Sequence, residues 1–493
     1  MIKAVICPAL SAALDKLKEI ISDNELNGKS TVIFCEDRLT LAAERTVCNA
    51  VGGSFSVGVY TFARFLSSER GKREGVLSSQ GSAMVIRAII EKNRDRLKLF
   101  GRFAAASSAG AVYDTIALLY ASKISPEDVM RASASGLLES KLHDIGVIYS
   151  EYVRYLKENG RTDRNAYLGE LPEVIEKSAR IAGSQVIFLG FQSFTRSSLE
   201  CVRAAFGRAQ SVYGLFIGGK EELYVNESSS AFIAAAEEFG GAVCERVASG
   251  LIPQAELLRK SLFDPESFYS GNKMNCGNVH IYEAADEDEE LEFIAANIKK
   301  HVIDGGERYA KISVMLPDAA SAERDVKRVF SQYRIPYYAD IRHKLSDHPV
   351  CAFIVNYLIC ASSGCPFRET DGIISSVFFP ADGVDKDIFR NYLLRLANFR
   401  GGIKRQPKKE ITDSFGFNTD TITCVRDKFL RGLEFIPAKG GISDICVGVR
   451  RLMEDFCVKE KLESLAETYR DEYPAEAEFS KRVYEAVLSV LSE

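Results

Sequence analysis

Residues 8–15, Pro-Ala-Leu-Ser-Ala-Ala-Leu-Asp, follow the first apolar run of the chain, Ala-Val-Ile-Cys at 4–7. At such a place an α/β nucleotide-binding domain carries a glycine-rich turn, whose backbone N–H groups and lysine cradle phosphates at the start of a helix. That chemistry is not spelled here. Pro8 has no N–H to donate, Ala13 and Leu14 replace the glycine and the cation, and Asp15 repels phosphate. A magnesium-holding carboxylate is expected at the end of a later strand of the same sheet. The run 186–189 leads instead into Gly190-Phe-Gln-Ser-Phe-Thr195. Both halves of an ATPase site are missing from the sequence, which spells only a degenerate nucleotide loop.

Other catalytic constellations have no better support. His143, His280, His301, His343 and His348 lack a nucleophile or metal partner at fixed spacing and read as structural. The 12 cysteines contain no C-x-x-C pair and do not cluster with histidine, so no zinc or iron–sulfur framework is expected. They read as reduced core thiols in a reducing compartment. The acidic run at 286–290 opens a predicted helix, where carboxylates complement the macrodipole. No catalytic residue and no metal ligand is assigned.

Residues suited to nucleic acid lie where predicted strands hand over to helices. They are Arg38 and Thr40 after the second strand, Thr61, Phe62 and Arg64 after the third, and Phe191, Phe194 and Thr195 after a fourth. Ligands of open parallel sheets bind outside the carboxyl ends of strands, so these segments are expected to share one edge. Hydroxyls, guanidinium groups and exposed rings suit contact with single-stranded backbone and bases. Taken singly, the three threonines read as helix caps and the phenylalanines as core.

The elements that must position these residues follow from periodicity. Residues 4–7, 31–35 and 57–60 read as strands and 11–21, 39–50 and 61–67 as helices, an order that argues a parallel sheet covered by helices. From 76 to 180 the pattern is helical, with an amphipathic stretch at 84–99 and an apolar stripe of Leu138, Leu142, Ile145, Tyr149, Tyr152 and Leu156. Strand signals return at 185–189 and 211–217. A joint at 270–278 precedes a second α/β run with strands at 279–282, 311–316 and 335–338 and helices at 287–302 and 320–330. Beyond 365 the pattern is again helical, broken by a basic segment at 395–409. The 493 residues, with 63 Lys+Arg against 68 Asp+Glu and a net charge of −5, exclude a wholly basic nucleic-acid wrapper but leave room for a local basic surface. No apolar run approaches the roughly 20 residues of a membrane span, and a cytoplasmic protein is expected.

The phrases at 32–40, 59–65, 137–149, 186–195 and 335–340, with His348-Pro349, resemble in order and spacing the N-terminal half of the B subunit of the AddAB (RexAB) ATP-dependent helicase/deoxyribonuclease. The resemblance covers nearly the whole chain. It implies a superfamily-one helicase-like, P-loop NTPase fold with a degenerate P-loop: two RecA-like parallel-sheet domains, each with a helical insertion. Residues 1–75 plus 181–270 would form domain 1A, 76–180 insertion 1B, 277–365 an incomplete 2A and 366–493 a truncated 2B. The family's phosphate loop falls on Pro8 to Asp15, and Leu189 stands where members show an aspartate before the Gly-Phe pair. Arg38 departs from the residue type of its motif.

The resemblance further implies a non-motor subunit in double-strand break repair by homologous recombination. Its A-type partner in the heterodimer drives translocation, while this part channels single-stranded DNA and recognises a Chi-like sequence. The alternatives are an active ATP-driven helicase and a purely structural scaffold for the motor. No cofactor is expected in this chain, since the family's magnesium and iron–sulfur cluster belong to a C-terminal nuclease domain. Glu493 is accordingly expected not to be the natural end, with isolated nuclease activity absent and part of the second sheet unpaired.

Overall fold

Short apolar runs bounded by turn residues become buried strands. The structure, a computed structural model, describes the chain except residues 27, 54, 72, 74, 103–104, 219–226, 249–252, 255–256, 259–278, 340–343, 397–401, 472 and 493. Its strands are β1 (Ile2–Cys7), β2 (Thr31–Cys35), β3 (Val57–Tyr60), β4 (Val76–Leu77), β5 (Thr162–Asp163), β6 (Gln185–Leu189), β7 (Ser211–Ile217) and β8 (Val243–Arg246). Six of them form one sheet in the order β3-β2-β6-β7-β1-β8, and every pair in it is parallel. The predicted joint at 270–278, His343 and residues 397–401 of the basic segment lie outside the described residues.

Alternation along each strand feeds two different cores, as a sheet covered on both faces requires. Val32, Phe34, Val186, Phe188 and Phe216 enter one core with the helix Arg196–Arg208. Ile33, Cys35, Ile187, Leu189 and Leu215 enter the other, under the helices Leu10–Leu26 and Thr40–Val51. The mostly helical α/β unit so formed is consistent with a RecA-like fold. β8 escapes a reading by hydropathy because Val-Cys-Glu-Arg is mostly exposed and pairs with β1 on one side only.

Helices Ser79–Lys92, Ala105–Ala121, Pro126–Arg131 and Leu137–Glu158 build a separate core within the same unit. The helix expected over 84–99 stops at Lys92 because Asn93 turns its side-chain amide onto the Ile89 carbonyl and the chain tightens into a 3₁₀ turn, Arg94–Arg96. The predicted stripe is buried from Ile145 through Leu156, whereas Leu138 stands in solvent.

Two compact units divide the chain, Met1–His280 and Ile281–Glu493. In the second, helices Glu287–Ile303 and Ala319–Gln332 pack together through Leu291, Ala295, Val329 and Phe330. The helices from Pro349 to Ser492 form a larger all-helical core around Phe353, Tyr357, Phe429 and Phe456. The segments 279–282, 311–316 and 335–338, expected as strands, join no ladder among the described residues. Lys311 ends a 3₁₀ turn, Pro336 has no N–H, and the N–H groups of 313–316 find no backbone acceptor among the described residues. Ile312, Leu316 and Ile335 still pack on the two helices, while Met315 and Tyr338 are exposed.

Candidate nucleic-acid interface

Because β3, β2 and β6 are parallel neighbours, the segments that follow them emerge side by side at one edge of the sheet. The segments after β2 and β6 meet at Gly190. Its φ of +69° is a left-handed conformation, and a Cβ there would lie 2.5 Å from Leu39 Cδ1, so the turn requires glycine on both counts. The segments after β3 and β6 meet through rings: Phe62 stacks on Phe191 at 5.4 Å, and Phe191 on Phe194 at 5.1 Å.

Those rings face inward. Phe191 is 7% exposed, and Phe62 and Phe194 pack against the core that holds Phe34, Phe65 and Phe188. Thr61 and Thr195 cap the helices Phe62–Arg70 and Arg196–Arg208, accepting the N–H groups of Arg64 and Ser198. Thr40 differs: its hydroxyl donates to the Asp37 carbonyl, and the cap position of its helix is Leu39. The edge therefore presents to solvent Arg38, Arg64, Thr195 and two polar residues that hydropathy did not single out, Gln192 and Ser193. Arg38 pairs with Glu36 at 2.7 Å and Arg64 reaches Glu44 at 3.4 Å, both in exposed positions. Neither pairing has a spacing that a sequence reading would notice.

The turn after β1 is differently built. Only Pro8 and Ala9 separate the strand from the helix that begins at Leu10. Ala13 is fully buried, Leu14 packs into the core beside it, and Asp15 points to solvent. The next cation along the chain, Lys16, is held by Glu245 of β8 at 2.8 Å, and that hydrogen bond raises its pKa. Burial pushes the Cys7 thiol up to about 11. Among the described residues no three His, Cys, Asp or Glu side chains stand together to hold a metal, and no helix is long and apolar enough to cross a membrane.

A family model described as the N-terminal part of AddB matches residues 11–239. Three relatives are each named as the B subunit of an ATP-dependent helicase/deoxyribonuclease. The protein from Ruminiclostridium cellulolyticum is 22% identical over 90% of this chain and 42% of its own length. That from Clostridioides difficile is 23% identical over 97% of this chain and 45% of its own. That from Listeria monocytogenes is 24% identical over 77% and 35%. The chain thus spans less than half the length of the relatives it matches.

Proposed function

We propose, from the premise that residues 11–239 are an AddB-type N-terminal domain, that this chain is the non-motor, DNA-binding part of an AddAB-type helicase–nuclease. In this reading it acts in the cytoplasm in double-strand break repair and guides single-stranded DNA across the edge formed after β3, β2 and β6. Met1–His280 is its domain 1A with the helical insertion 1B, and an A-type partner supplies ATP-driven movement. Reading of a Chi-like sequence belongs to the same edge.

The observation that carries this reading is the contrast between two sites on one sheet. At the edge after β3, β2 and β6, guanidinium, amide and hydroxyl groups converge from three segments. After β1, where a motor would hold its nucleotide, the side chains are an imino acid, two apolar groups and an anion. The pairs Arg38–Glu36 and Arg64–Glu44 do not forbid contact with phosphate, because exposed ion pairs contribute only about 0–1 kcal/mol and exchange readily.

The test is binding of an oligothymidylate, followed by fluorescence anisotropy over a salt series. Arg38→Ala with Arg64→Ala should weaken binding and reduce the slope of log affinity against log salt by roughly 1.4, about 0.7 per lost contact. Unchanged affinity and slope in the double variant would overturn the placement of the groove.

A further inference from the structure

The link between helices Ser79–Lys92 and Ala105–Ala121 concentrates positive charge in a protein that is acidic overall. Lys92, Arg94, Arg96, Lys98 and Arg102 lie within residues 92–102, against the single carboxylate Asp95, and all five cations are exposed. Arg96 is tied to Asn93 and Glu151. Lys92, Arg94, Lys98 and Arg102 make no ion pair among the described residues.

A solvated charge run would be loose, and this one is fastened. The carboxylate of Asp144, fully buried, accepts the backbone N–H groups of Lys98, Leu99 and Phe100 at 2.8, 2.7 and 2.9 Å. Asn93 and Leu97 are buried as pegs. Gly101 closes the fold: a Cβ there would collide with the Arg94 carbonyl oxygen, so only glycine lets the second 3₁₀ turn, Phe100–Arg102, return onto the first. The backbone amides are spent inward on Asp144, and the cations are left outward on a rigid support.

We infer that this platform in the helical insertion is a second nucleic-acid contact, one that grips the phosphate backbone of duplex DNA. Among the described residues of 92–102 the exposed side chains include lysine and arginine heads and no ring, a set that suits phosphates whose bases are turned away. Phe100, the aromatic residue within 92–102, packs against the insertion core and offers little stacking face to an unpaired base. The inference rests on the reading of the chain as DNA-binding and adds a site that the sheet edge does not contain.

The experiment uses the full chain and a blunt duplex of roughly three helical turns. The variant Lys92→Gln, Arg94→Gln, Lys98→Gln and Arg102→Gln keeps Arg96 and the Asp144 contacts. Its slope of log affinity against log salt should be shallower by about 3.6, equivalent to roughly a hundredfold less salt sensitivity between about 50 and 200 mM. Oligothymidylate binding should be retained, and a charge-keeping variant (Lys92→Arg, Arg94→Lys, Lys98→Arg, Arg102→Lys) should behave as the parent. Arg38→Ala with Arg64→Ala should do the reverse, losing single-strand affinity while keeping the duplex slope, so the two readings fail separately. An unchanged duplex slope overturns the platform. So does equal loss on oligothymidylate, or a charge-dependent affinity found only with phosphatidylserine–phosphatidylcholine vesicles.

Discussion

Replacing Asp144 by asparagine removes one charge and exchanges one acceptor oxygen for an NH₂ donor at nearly constant shape. In the parent, Oδ1 takes the Lys98 N–H and lies 3.1 Å from His143 Nδ1, while Oδ2 takes the N–H groups of Leu99 and Phe100. The amide keeps a single oxygen, so its NH₂ must face at least one backbone N–H donor to donor. A buried donor left unsatisfied costs about 1–3 kcal/mol, and loss of charge assistance weakens the bonds that remain, giving about 3 kcal/mol in all. Opening of the link should become easier by the same amount, and exchange of the amides at 98–100 should accelerate by a hundredfold or more, since 1.4 kcal/mol is about tenfold. Hydrogen exchange read by mass spectrometry on peptides covering 92–102 measures this directly. The pH dependence follows from the lowered pKa of Asp144, where burial alone acts upward and is outweighed by the backbone N–H groups and His143. A carboxylate with a depressed folded pKa contributes its stability fully above its unfolded value, about 3.9, and loses it as pH falls through the folded one. The gap between parent and Asp144→Asn should therefore be complete at pH 7 and narrow below about pH 4. If exchange at 98–100 changes less than tenfold at pH 7, the carboxylate is not what fastens the link.

Three further outcomes are expected. Calorimetry on the full chain should find ATP binding no tighter than millimolar, about −4 kcal/mol, because Pro8 has no N–H, Ala13 and Leu14 supply no cation and Asp15 repels phosphate, and a micromolar constant would contradict that. His348 is buried, caps the helix Pro349–Ser363 by accepting the Val350 N–H, and has its pKa lowered by burial. The unfolded chain therefore takes up the proton first, and the unit Ile281–Glu493 should lose stability as pH falls below about 6.5; urea midpoints for the parent and His348→Asn should diverge in that range, and identical pH slopes would count against it. Gly448→Ala should destabilise the same unit by about 1–3 kcal/mol, since its Cβ would collide with the Phe435 carbonyl oxygen, and a neutral thermal shift would show that the helix Ile442–Asp455 moves away freely.

The sheet was legible because its strands are short apolar runs bounded by turn residues, the inner ones buried on both faces and the outer strand Val57–Tyr60 partly buried. Thr31–Cys35, Val57–Tyr60, Gln185–Leu189 and Ser211–Ile217 occupy the same residues in sequence reading and structure. Parallel neighbours must end on the same side, so the meeting of residues 36–40, 61–64 and 190–195 at one edge followed from strand order alone. What hydropathy could not settle was orientation at that edge. Phenylalanine suits a stacking surface and a core equally, and only the ring contacts of Phe62, Phe191 and Phe194 reveal that they close the core under the edge. Strand signals at 311–316 and 335–338 failed for a related reason: an extended apolar segment becomes a strand only when a neighbour accepts its N–H groups, and apolar pattern does not report neighbours.

Charge was the least legible property, because its effect depends on which cations are already paired. Arg38 and Arg64 look free in sequence and each has a glutamate in the structure. The basic residues from 92 to 102 look like an ordinary polar stretch of helix and instead crown a link fastened from beneath by Asp144, a residue more than forty positions away. Pairing weakens an arginine's pull on a phosphate, while rigid spacing strengthens it by sparing the entropy of ordering loose side chains. On the proposed DNA-binding reading the two surfaces therefore suit different tasks: the sheet edge, with amides and hydroxyls beside its paired arginines, is suited to discriminate, and the insertion platform is suited to hold.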